Sequence, residues 1–388
     1  MRIEAKKIGF YFTILSIFQL IFLSYINIGV LGYIWEIISI LFLLSHLIYH
    51  FPNVIKEKMD NFSLLLFCYS ICLLISAYIG LQNNFSINPL YSSLVYLTEI
   101  WLIYLNLKLV LNYFSLKEIV IVLFYLVLFF CILNDLILLI NHSNVNDTYF
   151  LGNKFGVSFL HLDAVVFYLL INPKVDKSNK LDKKIILLGI YALGISAYVE
   201  CTTVSIGIIL FFIMYYLFPM KLMKNGLTWL ITLILSSTFY VSYFYLLNFG
   251  WFQNFIVNIL HKDISLTGRR VIYQNLPLAL KGHWIWGYGF NSDFQIWNVI
   301  LKLNFPDCQN GLINIILEQG MICAAIIIII FLLSLNKIKL QNLKSIVCLV
   351  YVYTLISSVE VTFGLQFLFL GMLMYLGSVK GRERTNFV

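Results

Sequence analysis

The amino-acid sequence predicts an all-α, polytopic membrane protein of about twelve helical spans, with both termini cytoplasmic and one large outer loop. Three observations lead there. The chain is 61% hydrophobic and 11% charged, with 33 Phe in 388 residues, so its surface must be largely apolar, and lipid is the solvent that accepts such a surface. Most of its apolar stretches have the length at which a helix crosses a hydrocarbon layer of roughly 30 Å. The polar segments between them form two alternating sets, and 20 of the 26 Lys and Arg fall in one set, the bias that marks the cytoplasmic face.

The expected spans are 9–27, 29–49, 62–80, 89–107, 117–140, 155–171, 184–200, 203–219, 226–246, 313–334, 345–359 and 361–379. Arg2, Lys6 and Lys7 precede the first, and Lys380, Arg382 and Arg384 follow the last. An even number of spans therefore puts both ends on the basic side. The same side collects Lys56 and Lys58, Lys108 and Lys117, the run Lys174 to Lys184, Lys221 and Lys224, and Lys337, Lys339 and Lys344. The first apolar run lacks a small-residue cleavage site and a second follows almost at once, so it reads as a retained span. The chain divides into spans one to nine over 1–247, an outer loop over 248–312, and spans ten to twelve with a short cytoplasmic tail over 313–388.

Composition narrows the function classes. The net charge of +8 lies in short loops with no aromatic-laced basic domain, which argues against a nucleic-acid partner and for contact with membrane lipid. The seven Cys are scattered without paired metal spacing, so neither a metal nor a cofactor is expected.

The loop over 248–312 differs from every other polar segment in size and chemistry. It holds Arg269 and Arg270, two of only five Arg in the chain, on the side where positive charge is normally avoided. Thr267, as N-cap, and the apolar positions Val271, Ile272, Leu276, Leu278 and Leu280 predict a short helix with both Arg in its first turn. The guanidinium fork suits phosphate oxygens; a structural ion pair or a lipid headgroup contact would use it equally. The stretch HWIWGYGF sets aromatic side chains, Tyr288 among them, around Gly287 and Gly289, where they either stack on sugar rings or anchor the loop among headgroups. Asn310 and Glu318 lie eight residues apart, near one helix face and about 12 Å along its axis. A carboxylate at the depth of Glu318 needs a partner, such as an Arg, or serves as an acid or base.

Other ionisable residues at membrane depth are Glu36, Glu99, Asp135, His161, Asp163, Glu200 and Glu360. Such groups mark a site, a pathway or an interhelical pair. His161, Asp163, Glu200, Glu318 and Glu360 all fall toward the outer half, where they could line one cavity beneath the large loop. Lys154, beside Asn153 and two turns before His161, is a second phosphate candidate or an exposed loop lysine.

Five motifs together resemble those of bacterial O-antigen and capsule polymerases, which share a superfamily with the O-antigen ligases. They are Thr267-Gly268-Arg269 opening a short helix, Gly287-Tyr288-Gly289-Phe290, Gln309-Asn310, Glu318 with Gly320 entering a span, and Gly152-Asn153-Lys154 preceding a span. With the many helices and one large late loop, the resemblance covers most of the chain. It implies a metal-independent glycosyltransferase at the outer face of the cytoplasmic membrane. Its donor would be a glycan on undecaprenyl pyrophosphate and its acceptor a lipid-linked repeat unit, in lipopolysaccharide or capsule biosynthesis. A flippase and a chain-length regulator would be pathway partners. The resemblance implies that Arg269, Arg270 and Lys154 neutralise the departing pyrophosphate and that Asn310 and Tyr288 contact substrate. His161, Glu200 and Glu318 are the candidate bases. The ligases commonly carry His where this chain has Gln309, and glutamine accepts no proton, which weakens the ligase alternative. A lipid-linked oligosaccharide flippase has no need of so large a cap, and a secondary transporter would show broken spans in corresponding halves.

Overall fold

A computed structural model describes residues 2–23, 26, 29–56, 59–83, 85–141, 149–172, 182–259, 269–338 and 343–385. Its helices of eight or more residues are α1 (Arg2–Phe22), α2 (Val30–Tyr49), α3 (Asn61–Gly80), α4 (Pro89–Tyr113), α5 (Leu116–Asn141), α6 (Lys154–Ile171) and α7 (Lys183–Tyr198). There follow α8 (Thr202–Leu217), α9 (Gly226–Ser237), α10 (Phe239–Leu246), α11 (Arg269–Leu280), α12 (Gly311–Lys337), α13 (Lys344–Ile356) and α14 (Leu365–Thr385). Among the described residues six helices, α2 to α6 and α12, are long and apolar enough to cross a membrane; α1, α8, α9, α13 and α14 contain shorter apolar helices. The protein is an all-α, multi-span membrane protein.

Short polar side chains start these helices where the sequence leaves the apolar runs. Asp60 accepts from the Ser63 amide at 2.8 Å while Ser63 Oγ accepts from the Asp60 amide at 2.9 Å, a reciprocal cap on α3. Asn88, Asn153, Asp182, Asn225 and Asn310 cap α4, α6, α7, α9 and α12 through their side-chain oxygens. Between caps the spanning helices are largely apolar, and what they leave uncovered identifies the solvent. In α2 only Ser39 and Leu43 are buried, while Leu31, Ile37, Ile38 and Leu41 are each more than half exposed. In water each such side chain would forgo about 1.5–3 kcal/mol of burial; against lipid nothing is lost.

Helices adjacent in sequence pack together, as in α5 with α6, α6 with α7 and α1 with α2, and long-range pairs α3 with α12, α8 with α13 and α12 with α14 close the bundle. A second apolar core, including Tyr243, Tyr273, Leu276, Trp297 and Leu317, lies under residues 239–317. The expected helix over Arg269 begins at Arg269, with both Arg in its first turn. It buries Ile272, Tyr273, Leu276, Ala279 and Leu280; Val271 and Leu278 face outward. The proposed cap Thr267 and its neighbour Gly268 lie outside the described residues, as does most of the basic run Lys174 to Lys184.

Two expected continuous spans are interrupted. The stretch 226–246 divides at Thr238, whose hydroxyl bonds back to Ile234 O at 2.9 Å. More consequentially, α12 breaks at Gly320 (φ 85, ψ 164). Backbone freed by the break is taken up by the 284–289 loop: Tyr288 N donates to Leu317 O at 2.7 Å, Gly289 N to Glu318 O at 2.8 Å, and Met321 N to Trp284 O at 2.8 Å. Irregular backbone inside a membrane bundle persists only where protein satisfies it. Glycine is required on both sides. A Cβ on Gly320 would come within 2.6 Å of the Ile285 carbonyl carbon, and one on Gly287 within 2.6 Å of the Glu318 carbonyl. Gly80, ending α3, is pressed equally close to Tyr288 and Gly289. The Gly-Tyr-Gly stretch is thus a plug in the broken helix.

Candidate functional site

The buried face of α11 turns Arg269 toward the 357–364 segment that joins α13 to α14. Its Nη2 lies 2.7 Å from Glu360 Oε1, and Nη2 and Nε donate to Val359 O at 2.9 and 3.2 Å. One turn later Tyr273 places its hydroxyl 3.1 Å from Ser358 O and 3.3 Å from Gln309 O. Lys154, the first residue of α6, acts on the same Glu360 carboxylate. Burial pushes Glu360 up to about 7, against the pull of Arg269 and Lys154 and with a push from Asp307. Glu360 is thus in contact with one cation, Arg269, and feels a second, Lys154, through space. Arg270, adjacent in sequence, is exposed.

Beside this cation pair lies a group of carboxylates. Asn310 N-caps α12, its Oδ1 accepting from Ile313 N at 3.2 Å, and Asn314 and Glu318 follow at one-turn intervals on the same face. The Glu318 carboxylate, 6% exposed, is met by the backbone amides of Asn291 and Asp293, not by an Arg. The Asn314 side chain bonds the Asp293 carboxyl. Burial pushes that carboxyl up to about 6; the Phe294 amide at 2.8 Å opposes the shift and Asp307 adds to it. Asp307 is likewise raised by burial, with the Gln309 amide at 2.7 Å and the Arg269 guanidinium pulling it back. Asp307 thus acts through its charge on Glu360, Asp293 and Glu318.

The three candidate bases are not brought together. His161, 1% exposed, sits among α5, α6 and α7, its Nδ1 2.8 Å from Val157 O and its Nε2 3.2 Å from Asp135 Oδ2. The Tyr191 hydroxyl donates to that same Asp135 oxygen. This reads as an interhelical polar knot. Asp163 turns instead to Gln366, whose Nε2 donates at 2.6 Å. Glu200 is exposed at the turn between α7 and α8, with φ 54. Tyr288 is 4% exposed, its ring stacked on His283 at 3.6 Å and its hydroxyl donating to Ala279 O at 2.8 Å. A separate cavity of about 150 Å³ lies between α3 and α4, lined by Trp101, Tyr104 and Lys108. Lys108 there pairs with Asp60 at 3.1 Å, remote from the cluster just described.

Asp293, Asp307, Asn314 and Tyr273 were not singled out from sequence. One signal for the two acids was present: the 248–312 stretch has only three acidic residues, Asp263, Asp293 and Asp307. Among the described residues no three His, Cys, Asp or Glu converge as metal ligands do. The arrangement offers cationic donors for an oxyanion beside carboxylates able to take hydroxyl protons. Comparison with protein-family models, with curated proteins and with solved structures gives no match to this chain.

Proposed function

We propose that the chain is a polysaccharide polymerase of the cytoplasmic membrane, with twelve spans, both termini cytoplasmic and the cation pair facing the cell exterior or periplasm. The Arg269–Glu360 pair, with the Lys154 charge acting on the same carboxylate, is the observation that carries this reading. It supplies an anion site where basic residues are otherwise scarce. In the free protein Glu360 holds the place of the anion; a donor pyrophosphate, with more charge and more acceptor oxygens, displaces it.

The acceptor hydroxyl oxygen of one lipid-linked repeat attacks the anomeric carbon of the donor glycan. The bond from that carbon to the pyrophosphate oxygen breaks, and its electron pair leaves with undecaprenyl pyrophosphate. Arg269 and Lys154 stabilise the charge that develops there, a contribution worth about 10²–10³ in rate for a single donor. The hydroxyl proton passes to a protein carboxylate.

One observation favours a flippase or transporter: α12 is a broken helix, and broken helices form the substrate sites of many transporters. Its open carbonyls are already bonded by Tyr288 and Gly289, which speaks for polymerase. The two are separated by surface polysaccharide length in a deletion strain carrying either the intact chain or Arg269→Ala at equal membrane abundance. A polymerase predicts single repeats at the surface, lengthened only by the intact chain. Polymer retained in the deletion would sink the reading, and repeats trapped inside would point to a flippase.

A further inference from the structure

Resting on that reading, we propose that Asp293, Asp307 and the Asn314–Glu318 face of α12 form the acceptor-sugar site, in which Asp293 is the catalytic base that takes the proton from the acceptor hydroxyl. The carboxylates alone would not carry this. Asn314 is 4% exposed, its amide bonds Asp293, and its Oδ1 has no hydrogen-bond partner among the described residues. A buried acceptor without a donor is costly, and a sugar hydroxyl is a donor of the right size.

The two remaining carboxylates are committed elsewhere. Glu318 is held by the Asn291 and Asp293 amides, so it fixes the backbone that presents Asp293. Asp307 accepts from Gln309 N and faces Arg269. Asp293 is the half-buried member at the start of a short helix, and Asp307 and Glu318 are the acidic groups that face it. Burial, with the charge of Asp307, gives it more basicity than an ordinary carboxylate while leaving it ionised at neutral pH. Asp307 acts through its charge on Asp293 and is itself pulled by Arg269, so on this assignment the attacking oxygen lies on the side of the departing pyrophosphate. When the acceptor oxygen bonds to the anomeric carbon, its proton moves to Asp293 Oδ and later to water, restoring the carboxylate.

The test uses the full chain in vesicles with lipid-linked repeats extracted from the deletion strain, measuring polymer formed against pH. The intact chain should lose turnover as pH falls through about 6. Asp293→Asn should lose about 10²–10⁴-fold, and Asp293→Glu should retain turnover with the acid limb displaced. Should Asp293→Asn not accumulate in the membrane, Asn314→Leu decides: a raised KM for the extracted repeats supports the site, and an unchanged KM overturns it. Full turnover in Asp293→Asn with loss in Arg269→Ala overturns the assignment of the base and leaves the polymerase standing. No polymer from the intact chain overturns both.

Discussion

Replacing Gly320 by Ala strikes the place where the outer cap is tied into the bundle. At φ 85 and ψ 164 the residue occupies a region that only glycine enters freely, so alanine costs about 1–3 kcal/mol in backbone strain. Its Cβ would also lie 2.6 Å from both the Ile285 carbonyl carbon and Trp286 Cα. Backbone offers no flexible end to swing aside, so the loop must withdraw. That releases the bonds from Tyr288 N, Gly289 N and Met321 N, each worth about 0.5–1.5 kcal/mol. Together these give roughly 3–7 kcal/mol against docking of the 284–289 loop. The assay is hydrogen exchange in detergent at those three amides, with Gly194→Ala as control. Nothing lies within 4 Å of a Cβ on Gly194, and mid-helix alanine is favoured over glycine by up to about 1 kcal/mol. Loss of protection confined to Gly320→Ala is expected. Unchanged protection at Tyr288, Gly289 and Met321 would refute the account of the broken helix.

Arg269→Ala should cost about 10²–10³ in turnover and also reduce membrane abundance, because Glu360 loses its partner; adding Glu360→Gln should restore abundance but not turnover. Glu360 is raised to about 7 in the folded protein, so the folded state binds its proton more tightly than the unfolded chain does. Its contribution to stability is therefore full below the ordinary carboxylate range and declines as pH rises from about 4.5 to 7, a slope that Glu360→Gln should flatten in thermal unfolding scans. Tyr288→Phe removes one bond, to Ala279 O, and should cost about 0.5–1.5 kcal/mol with turnover intact; a selective loss of turnover would restore Tyr288 as a sugar contact.

The bundle was legible because the apolar runs have spanning length and six of them start at a polar capping residue. Asp60, Asn88, Asn153, Asp182, Asn225 and Asn310 each mark a helix start within a few residues of the expected span. The short helix at Arg269 was legible from its apolar spacing. The break at Gly320 was not, since a lone glycine within GMICAAIIIII is tolerated in a membrane helix and its cause is a loop some thirty residues upstream. For the same reason Gly-Tyr-Gly-Phe gave no sign that its glycines allow close backbone approach to α3 and α12. Depth in the membrane grouped His161, Asp163, Glu200, Glu318 and Glu360, but in the structure His161 meets Asp135, Asp163 meets Gln366 and Glu360 meets Arg269, partners that spacing does not reveal. The pairing of Arg269 with Glu360, 91 residues apart, has no local signature.

The most direct test of the central claim is release of undecaprenyl pyrophosphate by the purified chain, reconstituted with lipid-linked repeats from the deletion strain. The account predicts one pyrophosphate carrier freed for each new glycosidic bond, with the glycan lengthening in step and both products lost in Arg269→Ala. Repeats left intact by the reconstituted chain, or carrier freed equally by Arg269→Ala, would contradict it.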